Sequence, residues 1–117
     1  MAGTGDVWST AADLARCTEA VHKGRILSEA SHALLTKAHV PAQDGPDTGW
    51  MTSASYGYGV FLGTVAGTPA VYHTGDNPGY KAMNVWLPER AASIAIVAND
   101  DATKLEQVLE EVWCQAW

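Results

Sequence analysis

The 117-residue sequence predicts an α+β domain in which two N-terminal helices precede an antiparallel sheet of three to four strands, and a C-terminal helix packs on that sheet. Three observations predict it. Apolar residues recur at helical spacing near the start, with Leu14, Cys17 and Val21 on one face. From Tyr56 onward the pattern changes to short apolar runs broken by Gly and Pro, as strands joined by tight turns require. The last stretch returns to helical spacing, with Leu105, Val108, Leu109, Val112 and Trp113 on one side.

Each element has its own signals. Thr10 caps the first helix and Asp13, three residues on, can answer it, while Lys23 and Gly24 close it, so residues 10–23 read as helix. Ser28 opens the second, with Glu29 in the first turn where its charge complements the helix dipole and Leu34 and Leu35 as contacts. Residues 40–55 hold Pro41, Gly45, Pro46 and Gly49 and read as an irregular loop, anchored by Trp50 and Met51. Tyr56 to Leu62 reads as a strand alternating aromatics with glycine, Gly67 as a hairpin turn, and Ala70 to His73 as the returning strand. Tyr80 to Leu87 and the continuous apolar run Ser93 to Ala98 complete the sheet. Asp100 or Asp101 opens the last helix.

Composition narrows the function classes. Hydrophobic residues make up 47% and charged residues 17%, which suits one core, and neither side of the 40–55 loop could fold alone, so residues 1–117 read as one domain. Thirteen acidic residues against seven Lys and Arg leave a net charge of −6 with no basic cluster. Nucleic acid and anionic membrane surfaces are therefore excluded as partners. No window approaches the ~18 apolar residues of a membrane span, and no basic-then-apolar leader opens the chain. As given, the chain is expected to be cytoplasmic; a longer parent could be secreted or periplasmic. Cys17 and Cys114 lack any CxxC pairing and read as buried free thiols. No cofactor motif is present, and His22, His32 and His39 have no carboxylate in a matching motif, so they read as surface histidines and no metal is expected. Glu106, Glu110 and Glu111 read as the wet face of the last helix, Asp44 and Asp47 as solvated loop residues, and Trp8, Trp86 and Trp113 as core.

The stretch that carries chemistry is Val71-Tyr72-His73-Thr74-Gly75-Asp76-Asn77-Pro78-Gly79-Tyr80. A short apolar run ends in His-Thr-Gly and turns at Asn-Pro-Gly, which sets a reactive imidazole at a strand end. Backbone N–H groups beside such a turn can face an anion, and Gly75 lets a ligand come close.

Three stretches together resemble the serine β-lactamase-like family, which includes class C β-lactamases, D-alanyl-D-alanine carboxypeptidases and related esterases. Gly5 to Arg16 resembles that family's "STAxDLAR" helix start, Tyr56-Gly57-Tyr58-Gly59 its "YGYG" strand, and His73-Thr74-Gly75 with Pro78-Gly79-Tyr80 its Lys/His-Thr-Gly motif and downstream turn. The resemblance runs over nearly the whole chain and covers only the C-terminal part of such an enzyme. It implies a partial β-lactamase-like fold.

It also implies roles. His73 would bind or orient a substrate carboxylate, Thr74 would donate a hydroxyl, Gly75 would admit the ligand, and the N–H of Asp76 would serve as oxyanion donor. Tyr58 and Trp50 are candidate cleft walls. The family's nucleophile, a serine three residues before a lysine, is absent: no Ser or Thr in the sequence is followed three positions on by Lys. No Tyr-x-Asn or Ser-x-Asn occurs either. No residue is therefore assigned a catalytic role, and the expected function is that of a truncated serine hydrolase of β-lactam, D-Ala-D-Ala peptide or ester class, inactive alone. The alternative is a stand-alone binding or oligomerisation module. Expected partners are a small carboxylate or β-lactam-like ligand, and a second copy or another chain carrying the missing half.

Overall fold

The computed structural model describes residues 5–117. Among them the elements run α1 (Ala11–His22), α2 (Glu29–Leu35), β1 (Val40–Pro41), β2 (Met51–Tyr56), β3 (Phe61–Val65), β4 (Thr68–Asn77), β5 (Tyr80–Leu87), β6 (Ala92–Ala98) and α3 (Leu105–Ala116). The strands form one antiparallel meander in chain order, β1 through β6. The α+β class and the helix–sheet–helix order agree with the sequence expectation.

Local chemistry sets the helix starts. Thr10 Oγ1 accepts the N–H of Asp13 at 3.1 Å and Ser28 Oγ accepts that of Ser31 at 3.1 Å, so both predicted caps form. Asp13 does not return the bond and instead pairs with Arg16 at 2.6 Å. α3 begins at Leu105, four or five residues after its expected start. Asp100 accepts the N–H of Ala102 and so closes a local turn, while Asp101 reaches back to the Gly79 N–H at 2.9 Å. Neither is free to cap.

The sheet has six strands, and the extra ones correct the reading of residues 40–55 as irregular. β1 and most of β2 fall inside that stretch. Met51-Thr-Ser-Ala-Ser-Tyr has little apolar alternation, so its strand state comes from pairing with β3, with a bulge between Ser53 and Ser55. The Tyr56–Leu62 stretch is not one strand either. Gly57 N–H bonds to the Val60 carbonyl at 2.8 Å and Gly59 has φ +75°, so residues 57–60 form the turn between β2 and β3. A Cβ on Gly57 would stand 2.3 Å from the Leu35 carbonyl oxygen, which explains why the end of α2 needs glycine there.

Strand alternation divides β5 between two layers. Met83, Val85 and Leu87 enter the core with Leu109 of α3, and Ile94 and Ile96 of β6 pack against them. Asn84 and Trp86 meet α1 on the other face. Asn84 Nδ2 donates to Thr18 Oγ1 at 3.1 Å, Ser93 Oγ donates to the Ala15 carbonyl at 2.9 Å, and His22 stacks on Trp86. Tyr72 is fully buried, and its hydroxyl donates to the Thr52 carbonyl at 2.8 Å. Burial pushes that phenol above its ordinary pKa, which marks it as a structural tie between β4 and β2.

Three burial expectations fail. Cys17 and Cys114 are exposed thiols, because the turn of α1 facing the sheet buries Thr18 instead and Cys114 lies on the open side of α3. Trp8 is 95% exposed, lying ahead of α1, whereas Trp86 is buried as expected and Trp113 packs partly against the core. Among the described residues no helix is long and apolar enough to cross a membrane.

Candidate functional site

β4 is longer than the strand that flanks it, and this difference builds the site. β3 pairs with β4 only as far as Phe61 opposite Tyr72, while β5 pairs with it through Asn77. From His73 to Asn77, therefore, β4 pairs with a strand on one side only among the described residues, and its other backbone edge has no strand partner among them. The His-Thr-Gly triplet thus sits inside a strand, not at its end as the sequence suggests. Gly75, Asp76 and Asn77 are poor strand formers held extended by their partners Ala82, Lys81 and Tyr80. Pro78 and Gly79, with φ +84° at the glycine, then close the hairpin in the manner of a type II turn.

The His73 ring is fixed from two directions. It stacks on Phe61 at 5.2 Å and 21°, and its Nε2 lies 2.9 Å from the Tyr56 hydroxyl. Tyr56 in turn meets Phe61 edge-on at 5.0 Å. Either partner can donate in this bond, according to the imidazole tautomer, and together with the Phe61 stack it gives the ring one orientation.

These groups open onto a cleft of about 560 Å³ lined by Val40, Pro41, Gln43, Asp44, Tyr56, Phe61, His73 and Thr74. Its far wall is the loop before β2. Ser53 Oγ donates to the Pro46 carbonyl at 2.9 Å, and a Cβ on Gly45 would stand 2.1 Å from Ser53 Oγ and 2.8 Å from Phe61, so only glycine lets the loop lie this close. A larger open concavity at the start of α3, about 670 Å³ and lined by Lys81, Lys104, Glu106 and Glu110 among others, lacks such an aromatic floor. The N-terminal segment also reaches the site's turn: a Cβ on Gly5 would clash with the Asn77 side chain.

The sequence itself matches the model of one protein family, Beta-lactamase, over residues 1–113. The chain belongs to the beta-lactamase family. Solved structures agree on the fold. A penicillin binding protein from Bacillus halodurans superposes with a TM-score of 0.71 at 21% identity, over 91% of this chain and 30% of that one. D-amino acid amidase from Ochrobactrum anthropi SV3, complexed with L-phenylalanine, gives 0.71 at 20% identity over 93% and 33%. The chain thus spans about a third of the length of these family structures. No curated protein matches it by sequence.

Within this family fold the residues expected at the site divide. His73 and Thr74 line the cleft, and Gly75 and Asp76 continue the same open edge. The Asp76 residue is exposed and stands at the register position opposite Lys81. Tyr58 and Trp50 are not among the residues that line this cleft. Tyr58 belongs to the β2–β3 turn and stacks on His39 at 4.0 Å, and Trp50 is drawn edge-on to Trp113 of α3 at 6.1 Å. Tyr56, Phe61 and the Gln43–Gly45 loop were not legible as site residues. The "YGYG" stretch carried a signal for the first: two glycines flanking Tyr58 mark a turn, which puts Tyr56 at a strand end beside the cleft.

His22 also departs from a plain surface histidine. Its Nδ1 lies 2.9 Å from His32 Nε2, and its ring lies parallel to Trp86 at 5.3 Å. Burial, and secondly the neighbouring His32, push its pKa down to about 4. His39 Nε2 is held by the Leu34 carbonyl at 2.7 Å. Among the described residues no group of three or more His, Cys, Asp or Glu stands together as a metal site.

Proposed function

We propose that this chain carries the carboxylate-binding half of a β-lactamase-like serine hydrolase site and does not acylate by itself. The observation that carries this reading is the open edge of β4 from His73 to Asn77, facing a cleft in which Tyr56 fixes the His73 ring. An extended ligand laid along that edge meets backbone N–H and C=O groups as an added strand would. Its carboxylate is met by the His73 imidazole and the Thr74 hydroxyl, and the Asp76 N–H is the oxyanion donor. The substrate class is an acyl compound bearing a carboxylate: a β-lactam, a D-Ala-D-Ala peptide or an ester.

The reacting hydroxyl and its base are not among these 117 residues, since no Ser-x-x-Lys occurs. A serine enzyme deprived of its nucleophile loses about six powers of ten in turnover. Turnover of a chromogenic cephalosporin and of a short activated ester by the purified chain, beside His73→Ala, tests this. The expected result is no hydrolysis above buffer by either protein. Hydrolysis that disappears with His73 would show that the motif catalyses without the family nucleophile and would overturn the reading.

A second reading has its own observation. β6 ends the sheet, and its sequence, Ala-Ser-Ile-Ala-Ile-Val-Ala, has no charge or proline to guard the free edge. Such an edge accepts a strand, either from a second copy of the chain or from a chain that carries the missing motifs. Sedimentation velocity over a hundredfold range of concentration separates a self-paired module from a monomer.

A further inference from the structure

The cleft beside β4 is lined by no lysine and no arginine, and Asp44 is the only carboxylate in its lining. Its one permanent charge is therefore negative. A ligand carboxylate that enters this space to meet His73 and Thr74 also enters the field of Asp44, and like charges repel. Among the described residues Asp44 makes no hydrogen bond or ion pair, and it is exposed. Nothing there offsets its charge.

The loop that carries Asp44 is held on both sides of it. Ala42 N–H donates to the Ala54 carbonyl at 3.2 Å, Ser53 Oγ donates to the Pro46 carbonyl at 2.9 Å, and Thr48 N–H donates to the Met51 carbonyl at 3.0 Å. Gly45 lies so near Phe61 that a Cβ there would stand 2.8 Å from the ring, and Phe61 is the ring on which His73 stacks. Phe61 thus links the loop to the histidine, and Asp44 precedes that contact by one residue.

We infer that the cleft selects zwitterions, carboxylates that also carry a free ammonium group, and that Asp44 sets this preference; the inference rests on the carboxylate-binding reading above. The ligand's carboxylate goes to His73 and Thr74 and its ammonium to Asp44, which turns a repulsive neighbour into an attractive one. A dipeptide with a free amino end meets this requirement. An N-acylated peptide does not. Because Asp44 is exposed, water screens the pair, and the preference amounts to about two- to fivefold in affinity.

The test is a backbone amide NMR titration of the 117-residue chain with D-Ala-D-Ala and with N-acetyl-D-Ala-D-Ala, at about pH 6.5, where a peptide amine is almost wholly protonated. The free dipeptide is expected to bind about two- to fivefold more tightly. Asp44→Asn is expected to abolish that margin and to bind the acetylated peptide at least as tightly as the parent does. Asp47→Asn, on the same loop but outside the cleft lining, is expected to keep the margin, which separates a local contact from net charge. Amide spectra matching the parent's away from the loop confirm that both variants are folded. Equal affinity of the parent for the two peptides, a margin that survives Asp44→Asn, or one that falls as far in Asp47→Asn would each overturn the role of Asp44 and leave the carboxylate-binding reading standing. Binding of neither peptide would overturn that reading, and the zwitterion preference with it.

Discussion

His73 and His22 each use one ring nitrogen in a 2.9 Å hydrogen bond and each lie over an aromatic ring, Phe61 for one and Trp86 for the other. What surrounds them differs. His73 stands where β4 outruns β3, so a strand edge without a partner strand among the described residues and a cleft adjoin its ring. His22 stands between two helices and the β5 face, with a second imidazole as partner and no open backbone edge. The partner also decides the chemistry. A phenol can donate to the ring or accept from it, while in a pair of neutral imidazoles one ring must donate and the other accept. Ring stacking and one hydrogen bond therefore build a rigid histidine in either place, and the free strand edge is what makes one of them a candidate substrate site.

That contrast can be broken at several points. The largest effect is expected at the floor under His22: Trp86→Ala should destabilise the fold by about 3–5 kcal/mol in urea unfolding. A loss below about 1 kcal/mol would show that Trp86 contributes little to the core.

Acid comes next. The His22 pKa is about 4 in the fold against 6.5 ordinarily, so the unfolded chain takes up the proton first as pH falls. The stability this neutral ring contributes is complete above about pH 6.5 and is lost as pH falls toward 4. Because the ring is only half buried, the loss is on the order of 1–2 kcal/mol. Urea midpoints at pH 7 and pH 4.5 should differ less for His22→Gln than for the parent. Equal differences would deny His22 this role.

On the other side, Tyr56→Phe removes the hydroxyl that orients His73. A stability loss of about 1 kcal/mol is expected, with weaker carboxylate binding in the cleft and an unchanged His22 contribution to the acid profile. The smallest effect belongs to Ser28→Ala, which removes the α2 cap and should lower stability by about 0.5–1 kcal/mol. Hydrogen exchange should quicken within α2 and leave β4 as it was; faster exchange along β4 would mean that the two histidine sites are mechanically coupled.

How much of this was legible in the sequence follows from where the information lies. α1, β5 and the start of α2 were readable nearly to the residue, because Thr10, Pro88 and Ser28 act locally. β1 and β2 were not, since Val40–Pro41 and Met51–Tyr56 become strands through a neighbouring strand rather than through their own pattern. The start of α3 was misplaced because Asp100 and Asp101 are equally good caps and turn formers, and only the fold shows that Asp101 is taken by Gly79. The His-Thr-Gly triplet was readable as a motif, but its open edge depends on how far β3 extends. The His22–His32 contact joins residues on two helices whose relative placement no local signal encodes.

The most direct test of the half-site is a backbone amide NMR titration of the 117-residue chain with a D-Ala-D-Ala peptide and with a cephalosporin carboxylate. Saturable shifts confined to Thr74 through Asn77 and the cleft-lining residues, and abolished in His73→Ala, are the predicted result. No shifts along β4, or shifts that survive the loss of His73, would contradict the assignment of this strand edge as the carboxylate-binding element.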